Sequence, residues 1–69
     1  MNKLFRDMGI KIGQVIVYNH DDLQYIGRIV DHSDMIIDIE SIFRSDSHQW
    51  CYIHQVTHIV KNDVLIRVR

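Results

Sequence analysis

The chain has 69 residues, a formal net charge of −1 at pH 7 and 46% hydrophobic residues. This length excludes more than one small domain, and the near-neutral charge argues against a strong, sequence-blind binder of polyanions. No apolar run approaches the roughly 20 residues of a membrane span, and the single cysteine, Cys51, excludes an intramolecular disulfide and favours a reducing compartment. We therefore expect one cytoplasmic domain, residues 1–69, without a membrane partner.

Beta-branched residues dominate the composition. Twelve Ile, seven Val and one Thr make up 20 of the 69 residues, and the chain has no proline. Such side chains favour pleated strands over helices. The first eight residues are the exception, because Leu4, Phe5 and Met8 fall on one side of a helical turn. We expect a short N-terminal helix there and strands from residue 14 onward.

The first half of the strand region predicts a hairpin followed by a third strand. Residues 15–18 form a β-branched run that ends at the polar segment 19–22, and a longer strand is predicted over 23–31. Gly27 in the middle of this strand indicates a bend or a close backbone approach. Residues 35–40 then alternate apolar and polar side chains, which is the pattern of a half-buried strand.

The second half begins with a polar interruption. Residues 41–48 form either a loop or the extended ends of two long strands. Residues 49–54 return to strand character, and residues 56–60 continue that strand or begin a new one. After a further turn, the tail 64–69 alternates again. Five short strands at near-regular spacing predict an all-β fold, a strongly bent antiparallel barrel of SH3-like type, with the tail as an extra strand-like segment.

Two runs of the chain resemble the Sm-like family, and most closely its bacterial Hfq branch. The first run is QVIVYNHDDLQYIGRIVDHSDMIIDIE, in which Gly27 takes the place of the glycine that bends the family's second strand. The second run is QWCYIHQVTHIV, which matches the family's second motif at Gln49, Tyr52, His54 and Val60. Together the two runs span more than half of the chain.

This resemblance implies a five-stranded barrel of Sm type that forms a homo-oligomeric ring. The fourth strand of each subunit would pair with the fifth strand of a neighbour, and the ring faces would bind single-stranded RNA. The ring agrees with an independent argument from size, because a small barrel with open edges needs those edges covered.

The resemblance also implies a uracil site on one face of the ring. Met35 stands in the place of the family's aromatic residue and is preceded by Asp34. Tyr52 and His54 belong to the base-binding motif, in which Ile53 replaces the family's lysine. His54 is expected either to contact a base or to make a hydrogen bond that lines the ring. For Met35, packing against a neighbouring subunit or lining a pore is the stronger expectation.

An adenine site is implied on the opposite face. Tyr18 takes the place of a tyrosine on which adenines stack, and Gln49 that of a glutamine that reads them. Asp22 and Gln24 replace the glycine and lysine that accompany them in Hfq, and the acidic replacement weakens attraction for phosphate. Tyr18 has the alternative role of capping the barrel or lying at a subunit contact.

Other chemistry finds little support in the sequence. Trp50 is expected at an interface or in the core, where large aromatic residues are commonly buried. Cys51 and His54 are three apart on a predicted strand and point to opposite faces, so neither a metal site nor a Cys–His nucleophile is expected. We expect no cofactor and no enzymatic activity. A structural or protein-interaction ring module, with no role in nucleic-acid binding, is the alternative to the RNA-binding function.

Overall fold

The structure is a computed structural model that describes residues 10–42 and 48–68, without the side chain of His48. These residues form one six-stranded antiparallel sheet and a single 3-10 turn, η1. The predicted helix over residues 1–8 and most of the predicted interruption at 41–48 lie outside the described residues. The elements in chain order are β1 Val15–His20, β2 Leu23–Ser33, β3 Ile36–Ser41, β4 His48–Tyr52, η1 Ile53–Gln55, β5 Val56–Lys61 and β6 Val64–Arg67.

The strand order is β4-β3-β2-β1-β5-β6. This arrangement confirms the all-β prediction, and each predicted strand is present within a few residues of its expected bounds. The tail contributes a full sixth strand, β6, which pairs with β5. The sheet is not closed, since β4 and β6 lie at its two ends. Between β4 and β5 the predicted strand 49–54 ends early, because the backbone turns into η1 at Ile53.

Two hairpins have two-residue turns made of aspartate and asparagine. Asp21 and Asp22 connect β1 to β2, and Asn62 and Asp63 connect β5 to β6. All four residues have positive φ, between 50° and 64°. Positive φ at both central residues is the requirement of a type I′ turn, whose twist matches that of the flanking strands. The polar interruptions in the sequence therefore set the register of both hairpins.

Strand β2 is shared between two partners and bends where they meet. Its first part pairs with β1 up to Arg28, and its second part pairs with β3 from Gly27 onward. At Gly27 the strands approach so closely that an added Cβ would collide with the side chain of Ile39 and lie 3.1 Å from the carbonyl oxygen of Glu40. Glycine is required here by space, as the sequence indicated.

The core lies on the concave face of this bent sheet and draws on every strand from β1 to β5. Its fully buried side chains are mostly isoleucines; they are Ile16, Ile29, Ile37, Ile39, Ile53, Val56 and Cys51. In β3 the alternation is as predicted, with Ile37 and Ile39 buried while Ile36 is exposed. In the described part of the chain, no helix has the length and hydropathy needed to cross a membrane.

We predict that Gly27→Ala destabilises the fold by about 1–3 kcal/mol, because the new methyl group overpacks the contact with Ile39. Ile39→Ala alone should cost about 2–5 kcal/mol through the cavity that it leaves. The double variant should lose less stability than the sum of the two, since Ile39→Ala removes the colliding group. Urea unfolding of all four proteins measures this coupling, and strict additivity would contradict the proposed contact.

Candidate nucleic-acid interface

Two clusters of aromatic side chains stand out among the described residues. The first, here called the tyrosine pocket, is lined by Tyr18, His20, Tyr25, Gln49 and Trp50. The second, here called the aromatic row, consists of Trp50, Tyr52 and His54. Together they include four of the six predicted site residues.

The register of the first hairpin builds the tyrosine pocket. Tyr18 on β1 lies directly across from Tyr25 on β2. Their rings are stacked, with centroids 5.7 Å apart and an interplanar angle of 24°. The Tyr18 hydroxyl donates a 2.8 Å hydrogen bond to Oε1 of Gln49 on β4. Since β1 and β4 are separated by two strands in the sheet, this bond spans the concave side of the bend.

The pocket is an open cavity of about 320 Å³. A second cavity of about 190 Å³ shares Tyr18, Tyr25 and Gln49 with it and is also lined by Gln24 and Ser41. An amide and a hydroxyl beside an aromatic ring can pair with the polar edge of a planar ligand. The arrangement therefore suits a flat, polar group such as a nucleobase.

Tyr18 itself is only 2% exposed. One face of its ring packs on Tyr25, and its hydroxyl is engaged by Gln49. In this conformation Tyr18 positions Gln49 and supports Tyr25, whereas Tyr25 is the more exposed of the two rings. The structure thus brings the predicted pair Tyr18 and Gln49 together and places an additional tyrosine at the opening.

The aromatic row lies on the outer face of β4 and continues into η1. Trp50 and Tyr52 are 50% and 42% exposed and meet edge to face, with centroids 5.2 Å apart. Tyr52 and His54 stack almost in parallel, at 5.4 Å and 11°. Trp50, predicted at an interface or in the core, does not lie in the core of this chain. The row leaves ring faces and edges in contact with solvent.

Side-chain hydrogen bonds hold the row to the body of the domain. The backbone N–H of Tyr52 donates to Oε1 of Gln55 at 2.8 Å, and Nε2 of Gln55 donates to the carbonyl oxygen of Asn19 at 2.9 Å. The backbone N–H of Ile53 donates to the carbonyl oxygen of Met35 at 2.8 Å. These bonds fix the start of η1 and so fix the place of His54 relative to Tyr52.

Met35 and Asp34 lie at the turn between β2 and β3, beside the row. Met35 is 43% exposed, and Asp34 has a positive φ of 28° that fits its place in a turn. The backbone bond between Met35 and Ile53 brings this turn next to the start of η1. The four residues of the predicted uracil site therefore converge on one region of the surface.

A third feature links the two clusters. An open polar groove of about 750 Å³ runs between the β1–β2 turn and η1. It shares His20 with the tyrosine pocket and His54 with the aromatic row, so it lies next to both. Asp21 and Asp22 line the groove, and His20 Nε2 lies 3.3 Å from an oxygen of Asp21. The carboxylates of Asp21 and Asp22 disfavour phosphate groups in the groove. A ligand there would therefore be held chiefly by stacking on aromatic rings.

No group of three histidine, cysteine or acidic side chains within 10–42 and 48–68 is placed to hold a metal ion. Cys51 is fully buried, and burial raises the pKa of its thiol from 9.0 to about 12. Since the thiolate is the reactive form, this cysteine is a packing residue of the core.

Sequence reasoning missed Tyr25 and the place of Trp50 beside Tyr52. The two-residue turn at Asp21 and Asp22 already places Tyr25 opposite Tyr18, so register arithmetic alone could have found it. Trp50 is two residues from Tyr52, which puts both on one face of a strand. The groove had no such signal, because it depends on how η1 packs beside the first turn.

We predict that Tyr18→Phe destabilises the domain by about 1 kcal/mol, because the part-buried hydrogen bond between the Tyr18 hydroxyl and Gln49 is lost. The ring and its stacking on Tyr25 are retained. Tyr25→Phe is the matched control, and it should change the free energy of unfolding less. Equal stability of Tyr18→Phe and the wild type would show that the bond is not needed.

The buried thiol also predicts a dependence of stability on pH. The pKa of Cys51 is raised in the folded state, so its contribution is fully present below pH 9 and is lost as the pH rises towards 12. Burial, followed by the nearby Cys51 and Tyr25, raises the pKa of Tyr18 in the same direction. Between pH 8 and pH 10.5 the wild type should lose more unfolding free energy than Cys51→Ala. An equal loss in both proteins would contradict the assignment.

Comparisons of the chain with protein-family models, curated proteins and solved structures find no match.

Proposed function

We propose that this protein binds short single-stranded RNA by base stacking and side-chain hydrogen bonds, as a subunit of an Sm-like ring. The observation that carries the proposal is the exposed aromatic row, in which Tyr52 and His54 are stacked and Trp50 meets Tyr52 edge to face. Unpaired bases stack on aromatic side chains with about 1–3 kcal/mol per base. A row of exposed rings offers such positions in succession.

The tyrosine pocket supports the same function at a second place. Tyr25 supplies a ring, while Gln49 and Ser41 supply an amide and a hydroxyl group in the two cavities that it lines. The groove connects this pocket to the aromatic row through His20 and His54. One strand of RNA could thus place a base at each cluster and cross the groove between them.

The sheet order supports the Sm-like part of the proposal. A ring that joins the fourth strand to a neighbour's fifth needs both strands at the outside of a five-stranded sheet. The first five strands follow this order, β4-β3-β2-β1-β5, although β6 pairs with β5 and takes the outside position on that side. The bend of β2 at Gly27 also agrees with the resemblance.

The charge distribution sets the character of the binding. The described cationic side chains are few and scattered; they are Lys11, Arg28, Lys61 and Arg67. Few phosphate contacts release few counterions, so the affinity should depend only weakly on salt. Repetition of modest sites around a ring would raise the overall affinity by avidity.

A protein-interaction module remains the second candidate, and the sheet edges favour it. Trp50 on β4 and Val64, Leu65 and Ile66 on β6 are all large, apolar and exposed. Exposed apolar edge strands are sites of association with another chain. Under this function the domain would associate without binding RNA.

We predict that Tyr52→Ala weakens binding of labelled oligo-U by about 5- to 150-fold, as expected for the loss of one stacked base. Tyr52→Phe is the matched control and should stay within about twofold of the wild type, since it keeps the ring. Fluorescence anisotropy at low salt measures both affinities. If neither oligo-U nor oligo-A binds the wild type at tens of micromolar protein, the RNA-binding function falls.

A comparison of the two homopolymers separates the clusters. Preference for oligo-A, lost in Gln49→Ala, would assign recognition to the tyrosine pocket. Preference for oligo-U, lost in Tyr52→Ala, would assign it to the aromatic row. Ile12→Ala removes an exposed side chain outside both clusters and should leave both affinities unchanged. A steep decrease of affinity with salt would contradict a mechanism based on stacking.

A further inference from the structure

The sheet presents two edges that differ from each other and have similar lengths. Strand β4 has five residues and pairs only with β3, whereas β6 has four residues and pairs only with β5. All five pairings in the sheet are antiparallel, so β4 and β6 run in opposite directions. A second copy in the same orientation would therefore bring its β6 antiparallel to the first copy's β4.

The alternation of hydrogen-bonded and non-hydrogen-bonded pairs shows which backbone groups of β4 point away from β3. The bond from the Ile53 N–H to the Met35 carbonyl identifies residues 53 and 35 as a hydrogen-bonded pair. Since such pairs alternate along an antiparallel ladder, Trp50 lies in a non-bonded pair with Asp38. The backbone N–H and C=O of Trp50 consequently point away from β3, towards the edge.

The same argument applies to β6. The bond from the Val68 N–H to the Thr57 carbonyl fixes the phase of the β5–β6 ladder. Leu65 lies in a non-bonded pair with Val60, and Arg67 in one with His58. The backbone groups of Leu65 and Arg67 therefore point away from β5, towards the second edge.

One contact on β4 restricts how the edges can join. The Tyr52 N–H also points outward, but it already donates to Oε1 of Gln55. A neighbouring strand that keeps this bond must pair with the earlier part of β4. One register keeps this bond and also lets the outward backbone N–H and C=O groups of the two strands face each other. In this register Trp50 lies opposite Leu65, and His48 lies opposite Arg67.

We propose that a second copy of this chain docks its β6 on β4 in this register, so that the sheet continues from subunit to subunit. This inference rests on the ring in the proposed function. It goes beyond that function because the strand that pairs with the neighbouring subunit is β6, whereas the resemblance implies the fifth strand. The outer edge of β5 is covered by the chain's own β6. This pairing of β4 with a neighbour's β6, here called the joint, supplies antiparallel backbone pairs between Trp50 and Leu65 and between His48 and Arg67.

The side chains on the two edges fit this register. Trp50 and Leu65 are 50% and 58% exposed, and they would cover each other on the outer face. Arg67 would come next to His48, whose partner on β3 is Glu40. A basic residue of one copy thus approaches an acidic residue of the other. The pairing covers Trp50, so that Tyr52 and His54 are the rings of the aromatic row that stay open for RNA.

Proline substitutions test the joint with little change to the subunit. Leu65→Pro removes an N–H that points out of the sheet, and proline is tolerated at such edge positions. Trp50→Pro does the same on β4. Each variant alone should associate at least about tenfold more weakly than the wild type. Leu65→Thr keeps the N–H and serves as the matched control, with a smaller loss.

Mixing the two variants distinguishes this joint from any other. Leu65→Pro keeps an intact β4 edge and Trp50→Pro an intact β6 edge, so an equimolar mixture should form a one-to-one dimer and no larger species. Native mass spectrometry and sedimentation at 1–100 μM report the masses. A wild type that stays monomeric, a Leu65→Pro variant that associates as the wild type does, or a mixture without dimer would each overturn the proposal.

Amide exchange in the wild type gives a second test that needs no variant. The Trp50 and Leu65 N–H groups should become protected as the protein concentration rises, and unchanged exchange would contradict the joint. Arg67→Pro blocks the second outward N–H of β6 if Leu65→Pro fails to fold. The two proposals can fail separately. Tyr52→Ala should lose RNA binding but associate normally, and Leu65→Pro should lose association but keep the RNA site of each subunit.

Discussion

The bend of β2 is the constraint on which the rest of the structure depends. This one strand pairs with β1 along its first part and with β3 along its second, and the two partners meet at Gly27. Because Gly27 has no side chain, Ile39 and the backbone of Glu40 can approach closely enough for the sheet to curl. The curl gives a short chain a concave face on which apolar side chains from five strands, most of them isoleucines, become buried together.

The same curl creates the candidate site. Tyr18 and Gln49 belong to strands that are not neighbours, and only a strongly bent sheet brings them within hydrogen-bond distance. Beyond the bend, Gln55 connects the start of η1 to the end of β1 through its amide group. Two polar bridges thus span the parts of the sheet that carry aromatic rings, and rings held in fixed positions lose little entropy when a base stacks on them.

Much of the fold could be predicted from the sequence, and the reason is local. The β-branched runs mark the strands, and the aspartate and asparagine pairs mark the turns whose positive φ they adopt. The end of β4 was not predictable, because Ile53 turns inward in response to packing and to the Gln55 side chain. For the site, the resemblance assigned Tyr18 and Gln49 to one face, and the two side chains are in contact, but the groove depends on tertiary contacts that no short pattern records.

The pairing of β1 with β5 has a consequence for how the chain folds. Within the described ranges every other pairing joins strands that follow each other in the sequence, whereas β1 and β5 are separated by three intervening strands. The local hairpins can form early, each closing only a short loop. The β1–β5 contact forms only when a much longer loop closes. The entropy lost in closing this long loop should therefore dominate the folding barrier. Mutations at the turns of these early hairpins, like mutations at the seam itself, would then act on the speed of folding more than on the lifetime of the native state.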